Sequence, residues 1–445
     1  MKLTNQIRTT SAALFLCFAA TNAFAQAPYE RILNAEEEPQ NWLTYNGGYK
    51  SQRYSQLDQI TPENVTDLKL QWTLQNQVFG AWQSNPIVVD GIMYVTERPN
   101  TVMAVDAITG RVFWKYRHVP AENALICCGA NNRGVAVLDD KVFMGTLDAR
   151  LVALDRVTGS ALWDVEVGDV DLAYSVTMAP LVVKDKVIVG VGGGEFGIRG
   201  YVAAYDAETG EEAWKTYTIP GPGGPNHDSW QGDDWEHGGA PVWITGSFDP
   251  ELNLTYWGVG NPGPDWNAGQ RPGDNLYSDS VIALDADSGE LKWYFQFTPN
   301  DAYDYDSVQV PVLADIVWRG TPSKVMMWAN RNGYFYVLDR VTGKFLEGKP
   351  YVKVNWSSGL DDNGRPIPTP QPEGMPTFPG NQGGTNWYPP SFSPRTGLFY
   401  FSAWQDYATI YRAEESDYEP GRAFLGGGFS VLAPAPGAPT IGIGR

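Results

Sequence analysis

Residues that bind metals through sulfur or imidazole are scarce in this chain. The 445-residue sequence has three cysteines and three histidines, the latter being His118, His227 and His237. It contains no Cys-x-x-Cys-His motif, and its histidines are too few and too badly spaced for a haem site. A fused c-type cytochrome is therefore excluded from the sequence given.

Positive charge and long apolar runs are also scarce. Lysine and arginine total 32 residues against 51 aspartates and glutamates, which gives a formal net charge of −19. Such an acidic balance disfavours nucleic acid and anionic lipid as partners. After the N-terminal segment, no run approaches the ~18 apolar residues that a membrane-spanning helix needs. We therefore expect no membrane span.

The first 25 residues have the pattern of a secretory signal peptide. Lys2 and Arg8 precede the apolar run Ala12–Ala20, and Ala23-Phe24-Ala25 is a small-x-small cleavage site. We expect residues 1–25 to be removed and residues 26–445 to form the exported domain. Cys17 would be lost with the signal peptide, which leaves two cysteines.

Those two cysteines, Cys127 and Cys128, are adjacent. In an exported protein a lone cysteine pair is expected to oxidise, and sequence neighbours can do so only by closing a small strained ring. Strained disulfides tend to be functional rather than merely structural. Two small buried hydrophobic side chains are the alternative, and the pair alone leaves both interpretations open.

A recurring phrase, Ala-x-Asp-x-x-Thr-Gly-x-x-x-Trp, indicates the architecture. Alternating or β-branched runs precede most copies, so each unit is predicted as strand, turn, strand, tight turn and strand. A spacing of roughly 50 residues for the first three copies favours four-stranded blades of an all-β propeller over a β-sandwich. The copies are Ala104–Trp114, Ala153–Trp163, Ala204–Trp214, a serine variant at Ala283–Trp293 and a degenerate copy at Val337–Leu346.

With these repeats the chain resembles the pyrroloquinoline quinone (PQQ)-dependent alcohol dehydrogenases, the methanol and ethanol dehydrogenase family of periplasmic eight-bladed propellers. The resemblance runs from about Asn41 to the C-terminus and includes several unlinked motifs in the family's order. These motifs are Cys127-Cys128, Asn132-Arg133-Gly134, Gly193-Gly194-Glu195, Gly260-Asn261-Pro262, Tyr303-Asp304-Tyr305-Asp306 and Asn330-Arg331-Asn332-Gly333.

Oxygen ligands for a large cation come from different predicted blades. Glu195, Asn261 and Asp304 offer hard oxygen donors, and the resemblance implies that they bind the metal and that Asp304 is the catalytic base. Asp306 follows Asp304 by two residues, so on an extended segment both carboxylates point to one side. The resemblance implies that an acid at position 306 marks members that use a lanthanide, which we expect here in preference to Ca²⁺. A solvated acidic loop is the alternative.

The resemblance also implies the walls of a slot for PQQ, a flat triacid quinone. Trp243 matches the indole floor, and a Cys127–Cys128 disulfide matches the opposite face. Guanidinium groups at the rim would form charge-assisted hydrogen bonds with the carboxylates and carbonyls of the cofactor. The expected rim and closing residues are Arg133, Thr177, Arg331, Asn386 and Trp387.

The sequence departs from the family pattern at two positions and in its length. Gln83 stands where the family usually has glutamate, and Gly192 stands where it has serine. We expect each change to remove a contact to the cofactor. The family runs on by something like two blades, so we expect about six blades here, an incomplete ring and weak PQQ binding by this chain alone.

The resemblance implies a periplasmic enzyme that oxidises an alcohol to an aldehyde or ketone by hydride transfer to metal-bound PQQ. A soluble cytochrome c would accept the electrons, and a homodimer is one option for the assembly. The alternative is a non-enzymatic propeller scaffold that binds protein partners. That alternative predicts a lipobox cysteine at the signal cleavage site, where Ala25 and Gln26 stand instead.

Overall fold

The computed structural model describes residues 26–372 and 374–432. The predicted signal peptide and the end of the predicted exported domain lie outside these residues. Helices are short throughout the described ranges, and none is long and apolar enough to cross a membrane. They are α1 (Tyr29–Leu33) and the 3₁₀ turns Ala35–Glu37, Val65–Asp67, Val170–Leu172, Gly194–Phe196, His227–Ser229, Asp234–Glu236 and Ala268–Gln270.

Residues 87–350 form five antiparallel sheets of four strands, in which sequence neighbours are also neighbours in space. This arrangement confirms the predicted propeller blades. The strands are β1 (Ile87–Val89), β2 (Ile92–Glu97), β3 (Thr101–Asp106), β4 (Val112–Arg117), β5 (Ala136–Leu138), β6 (Lys141–Gly145), β7 (Arg150–Asp155), β8 (Ala161–Glu166), β9 (Leu181–Val183), β10 (Lys186–Gly190), β11 (Tyr201–Asp206), β12 (Glu212–Tyr217), β13 (Ser247–Asp249), β14 (Leu254–Gly258), β15 (Ser280–Asp285), β16 (Leu291–Gln296), β17 (Val312–Trp318), β18 (Thr321–Ala329), β19 (Tyr334–Asp339) and β20 (Phe345–Pro350).

Three further sheets have two strands each within the described residues. They pair β21 (Ser357–Leu360) with β22 (Pro366–Pro368), β23 (Ser391–Ser393) with β24 (Leu398–Tyr400), and β25 (Ala408–Ala413) with β26 (Gly427–Leu432). The described part of the chain therefore holds five four-stranded blades, and β23 and β24 follow them where a sixth blade would begin.

Each Asp-x-x-Thr-Gly turn joins the third and fourth strands of its sheet. In the first copy, Asp106 Oδ1 accepts the backbone N–H groups of Ile108 at 2.9 Å and Thr109 at 3.1 Å, and Gly110 has φ +75°. Aspartate thus satisfies the turn's donors, and glycine adopts the left-handed conformation at little steric cost. The same bonds recur at Asp155, Asp206, Asp285 and Asp339.

The tryptophan of one sheet packs against the turn glycine of the next. A Cβ atom on Gly159 would lie 2.5 Å from the Trp114 ring, whose N–H donates to the Arg156 carbonyl at 3.0 Å. Trp72, which lies outside the predicted repeats, makes the same contact with Gly110. The remaining pairs are Trp163 with Gly210, Trp214 with Gly289 and Trp293 with Gly343. These contacts join successive sheets around the ring.

The segment Asn41–Arg53 crosses the ring at its inner strands. It reaches the first strand of five sheets, which shows that these strands surround a common axis. The bonds are Trp42 N–H to Val88 O in β1 (2.8 Å), Tyr49 O–H to Val182 O in β9 (2.7 Å), Phe248 N–H in β13 to Tyr49 O (3.1 Å), Leu313 N–H in β17 to Lys50 O (2.9 Å) and Phe392 N–H in β23 to Gln52 O (2.9 Å).

Two kinds of loop meet at one end of this axis. In an antiparallel meander, the loop that enters the first strand and the loop between the second and third strands lie at the same end of the sheet. The first kind carries Arg133, Thr177 and Trp243, which precede β5, β9 and β13. The second kind carries Glu195 and Arg331, which follow β10 and β18. The topology alone therefore brings these distant residues together.

Candidate active site

A cavity of about 600 Å³ lies among these loops. All the predicted site residues except Asn261 line it: Cys127, Cys128, Arg133, Thr177, Glu195, Trp243, Asp304, Asp306, Arg331, Asn386 and Trp387. A second cavity of about 530 Å³ lies against the segment Asn41–Arg53 and contains none of them. The fold therefore gathers the predicted residues in one place.

Arg331 forms ion pairs with both Asp304 and Asp306, which are two residues apart in the sequence. Its Nη2 lies 3.0 Å from Asp304 Oδ2, and its Nη1 donates to Asp306 Oδ2. Burial raises the pKa of Asp304 well above its usual value, and Arg331 opposes that shift. Since the guanidinium is itself buried, both ion pairs lie in a poorly solvated site, and the one with Asp306 is also a charge-assisted hydrogen bond.

The other oxygen of Asp306 links the predicted metal site to the predicted cofactor floor. Asp306 Oδ1 accepts the backbone N–H of Asn261 at 3.0 Å and the indole N–H of Trp243 at 3.3 Å. A Cβ atom on Gly260 would lie 2.3 Å from this oxygen, so glycine is required there for close approach. Asn261 is thus bound through its backbone to Asp306, a residue of the cavity wall.

Glu195 lies in the 3₁₀ turn Gly194–Phe196, between β10 and β11. Burial, with a contribution from Asp306, raises the pKa of its carboxyl to about 7. A carboxylate oxygen of Glu195 and the two cysteine sulfurs lie within 4.8 Å of one another. Disulfide sulfurs are not thiolate ligands, so this trio is not a metal site, but it places Glu195 beside the cysteines.

Among the described residues, no trio of acids brings one carboxylate oxygen each within 4.8 Å of the others. The predicted metal-binding acids therefore line one cavity, but their carboxylate oxygens do not form a compact cluster of ligands. Arg331 instead lies between Asp304 and Asp306.

Cys127 and Cys128 are joined by a disulfide, as predicted. The Arg133 guanidinium carbon lies 4.8 Å from the centre of the Trp243 ring and 5.1 Å from that of Trp387. Arg133 Nη1 also donates to Thr177 Oγ1 at 2.8 Å. Burial lowers the pKa of this arginine to about 10, and it remains a cation at neutral pH.

The two positions that depart from the family pattern also border the cavity. Gln83 lines the wall, and its Oε1 is buried without a hydrogen-bond partner. A Cβ atom on Gly192 would lie 3.0 Å from the Ser175 hydroxyl, which lines the same cavity. Ser175 therefore places a hydroxyl close to where a side chain at position 192 would point.

Sequence reasoning missed several residues of the cavity wall. The aromatic side chains of Trp82 and Tyr388 line it, and so do Asn131, Ser175 and Gln382. Trp82 and Tyr388 are adjacent in sequence to Gln83 and Trp387, which was the available signal. Asn131 lies in the loop between the disulfide and Arg133, and its position between predicted site residues was a similar signal.

Residues 42–358 match the family described as "PQQ: Glucose/ethanol/alcohol dehydrogenase, beta-propeller domain". The chain is 40% identical to the quinoprotein alcohol dehydrogenase PedH of Pseudomonas putida, over 95% of this chain and 76% of that protein. It is 38% identical to the lanthanide-dependent methanol dehydrogenase of Methylacidiphilum fumariolicum, over 89% and 70%. The structure of a europium-containing methanol dehydrogenase matches with a TM-score of 0.88 at 37% identity, over 92% of this chain and 76% of that one.

The matches cover most of this chain but only part of the length of its relatives. The chain spans from 57% to 76% of the length of curated relatives that it matches. The family description covers residues 42–358, which hold the five complete sheets and every predicted site residue except Asn386 and Trp387. On these matches and this fold, the chain belongs to the family of PQQ-dependent quinoprotein alcohol dehydrogenases.

Proposed function

We propose that this chain oxidises an alcohol to an aldehyde or ketone, with PQQ as the hydride acceptor and Asp304 as the base. The observation that carries the proposal is the position of Asp304. It lines the same cavity as Trp243 and the disulfide, and its carboxylate is ion-paired with Arg331. A base, a cation and a flat slot therefore meet in one poorly solvated space.

The cavity suits a flat triacid. Three buried polar atoms of wall residues have no hydrogen-bond partner: Arg133 Nε, Gln83 Oε1 and Asn131 Oδ1. One of them is a cationic donor for a carboxylate, and the other two are acceptors for a ring N–H group. Trp243 would lie on one face of the cofactor and the Cys127–Cys128 disulfide on the other.

The proposed chemistry assigns separate tasks to the chain's own residues. When bound, PQQ supplies an electrophilic carbonyl that accepts a hydride. Asp304 takes the proton of the alcohol hydroxyl at a carboxylate oxygen. Arg331 favours the ionised form of that carboxylate, against the effect of burial, and offers donors to charge that develops on a neighbouring oxygen. The aromatic walls exclude water from the reacting atoms.

Glu195, Asn261, Asp304 and Asp306 would hold the metal that makes the carbonyl more electrophilic. We propose a lanthanide(III) ion in preference to Ca²⁺. The support is the fourth oxygen donor, Asp306, since a trivalent ion gains more than a divalent one from each added negative charge. The names of two relatives, a lanthanide-dependent and a europium-containing methanol dehydrogenase, support the same choice.

The proposal extends to location and partners. The pattern of the first 25 residues supports export to the periplasm, where a soluble cytochrome c would accept electrons from the reduced cofactor. Assembly as a homodimer remains a prediction from the sequence. The relatives named above are enzymes, and none of these matches favours a non-enzymatic scaffold.

The test is turnover of the purified chain loaded with PQQ and either La³⁺ or Ca²⁺. Alcohol-dependent reduction of an artificial dye is the measurement, with primary and secondary alcohols as substrates. We expect turnover with La³⁺ and less with Ca²⁺, and turnover lower by about 10²-fold or more with Asp304→Asn. PQQ binding without turnover in either metal would overturn the proposal.

A further inference from the structure

The connection between β25 and β26, residues 414–426, is unusually long for two paired strands. We call it the strap. Its two ends are joined, since the N–H of Glu414 donates to the carbonyl of Gly426 at 2.9 Å. Hairpin connections usually have about two to five residues, and ordered connections that are much longer usually have a function.

Phe424 anchors the strap on the turn that carries Glu195. The backbone N–H of Phe424 donates to the carbonyl oxygen of Glu195 at 2.7 Å, and its ring is buried. A Cβ atom on Gly197, in the same turn, would lie 3.1 Å from the Phe424 ring and 2.9 Å from the Tyr418 ring. Glycine at position 197 therefore lets the strap lie directly against the turn.

The strap also bonds the loop that carries Asn261, between β14 and β15. The N–H of Trp266 donates to the carbonyl of Leu425 at 2.9 Å. Farther along this loop, the side chain of Gln270 donates to the carbonyl of Ser416 at 2.6 Å and accepts the N–H of Ser416 at 3.2 Å. The strap is thus hydrogen-bonded to two loops that belong to different sheets.

The tip and the first half of the strap have contacts of their own. Gly421 has φ +66°, and a Cβ atom there would lie 2.5 Å from the backbone carbonyl oxygen of Asp171. Asp171 belongs to the 3₁₀ turn Val170–Leu172, between β8 and β9. The ring of Tyr418 stacks on that of His237, with centroids 3.5 Å apart. The strap is therefore held at several points along its length.

We propose that the strap is a positioning element for the metal site. Its adjacent residues Phe424 and Leu425 hold two ligand-bearing loops at a fixed separation. The oxygens of Glu195 and Asn261 are thereby presented to one ion. The inference rests on the proposed function, because it takes these two residues as metal ligands. Loss of a residue that orients a ligand commonly costs about 10- to 100-fold in metal affinity.

The experiment titrates the PQQ-loaded chain with Tb³⁺ and follows its luminescence. Gly421→Ala displaces the strap at a point remote in sequence from both ligands, because the new Cβ atom would overlap the Asp171 carbonyl. We expect about a tenfold loss of Tb³⁺ affinity. The luminescence lifetime should also shorten, because water that replaces a protein oxygen on the ion quenches its emission.

Gly223→Ala is the matched control. Gly223 has φ +80°, and a Cβ atom there would meet nothing within 4 Å, so this variant shares the strain of a left-handed alanine without the overlap. Its Tb³⁺ affinity and lifetime should be those of wild type. An equal loss in Gly223→Ala, or no loss in Gly421→Ala, would overturn the inference while leaving the proposed function intact. Wild-type protein that binds PQQ but no Tb³⁺ would overturn both.

Phe424→Ala tests the contact at the Glu195 turn directly. It should lower Tb³⁺ affinity at least as much as Gly421→Ala, while the PQQ affinity of the metal-free protein stays nearly unchanged. Phe392→Ala is its control, since Phe392 is also buried but lies in β23, in a cluster that contains no strap residue. Equal losses of Tb³⁺ affinity in both variants would show a general effect of a lost ring and overturn the inference. If Phe424→Ala does not fold, the result for Gly421→Ala decides.

Proteolysis provides a test on the unaltered chain. If the strap holds the ligands, a bound ion must in turn hold the strap. Arg422 in the strap and Arg319 in the turn between β17 and β18 have similarly exposed side chains, at 77% and 69%. In PQQ-loaded protein, Tb³⁺ should slow tryptic cleavage after Arg422 several-fold and leave cleavage after Arg319 unchanged. Cleavage after Arg422 at the same rate with and without Tb³⁺ would overturn the inference.

Discussion

Asp306 Oδ1 accepts a hydrogen bond from the indole nitrogen of Trp243 at 3.3 Å. The acid proposed for the metal is thereby joined to the proposed floor of the cofactor slot. Metal and cofactor are therefore expected to bind cooperatively, because an ion at Asp306 and a quinone on Trp243 depend on the same hydrogen bond.

Asp306→Ala is expected to abolish lanthanide-dependent turnover. The variant removes one of the proposed metal-binding carboxylates and frees Arg331 of one of its two acidic partners. Any Ca²⁺-dependent turnover should be spared, since a divalent ion gains less from the fourth acid. Dye-linked turnover with La³⁺ or Ca²⁺ checks this, and intact La³⁺ activity would contradict the assignment of Asp306.

Asp304→Asn is expected to lower kcat with either metal by about 10²- to 10⁴-fold, the usual contribution of a general base. The amide cannot take the hydroxyl proton, but it is close in shape to the carboxylate. PQQ should still bind, because its proposed walls are elsewhere. Steady-state kinetics and the absorbance of bound PQQ measure the two effects separately. If kcat is unchanged, Asp304 is not the base.

Arg133→Ala is expected to weaken PQQ binding, since the buried cation between Trp243 and Trp387 is the proposed partner of a cofactor carboxylate. Loss of one buried charge-assisted bond corresponds to about 1.5–3 kcal/mol, or roughly 10- to 100-fold in affinity.

Arg199→Ala is the control for this prediction. Arg199 also lies over two aromatic rings, at 4.0 Å from Tyr217 and 4.7 Å from Trp235, but it does not line the cavity. Fluorescence titration with PQQ compares the variants. Equal losses in both would point to a general effect on folding rather than to a cofactor contact.

Metal binding is expected to strengthen as pH rises toward 7. Burial raises the pKa of Glu195 from 4.5 to about 7, so its protonated form stabilises the metal-free fold below about pH 4.5, and this contribution is lost as pH rises through 7. The metal needs the ionised form. The Tm difference between La³⁺-loaded and metal-free protein should therefore grow between about pH 5 and pH 8.

Glu195→Gln is the check on that assignment. The amide does not titrate, so the growth of the Tm difference with pH should be smaller in this variant. A pH profile identical to that of wild type would mean that other groups control the effect.

Gly159→Ala is expected to destabilise the protein by about 1–3 kcal/mol, because the new Cβ atom would overlap the Trp114 ring. The control is Gly91→Ala, whose φ of +78° is close to the +71° of Gly159 but whose Cβ would meet nothing within 4 Å. Both variants incur the strain of a left-handed alanine, so the difference in their free energies of unfolding measures the overlap. Equal losses would contradict the docking role of Trp114.

The repeat was predictable because one local rule acts in every copy. Aspartate satisfies the N–H groups of the turn, glycine takes the positive φ, and the tryptophan of the preceding unit packs where that glycine lacks a Cβ atom. Trp72 escaped prediction because no Asp-x-x-Thr-Gly phrase precedes it in its own segment.

The site was predictable where residues occur in distinctive motifs, as at Cys127-Cys128 and Asp304-Tyr305-Asp306. Tertiary relationships were not. No local pattern shows that Arg331 would lie between Asp304 and Asp306, or that Ser175 would place its hydroxyl beside Gly192.

The segment Asn41–Arg53 bears on the order in which the ring forms. Gln52 donates to the Leu313 carbonyl across a separation of 261 residues, and the bonds to Val182 and Phe248 are also far from local in sequence. Contacts between residues so far apart in the sequence form late, since a long loop must close before they contribute. We therefore expect the segment Asn41–Arg53 to be synthesised first but fixed in place last, and its release to be an early step in unfolding.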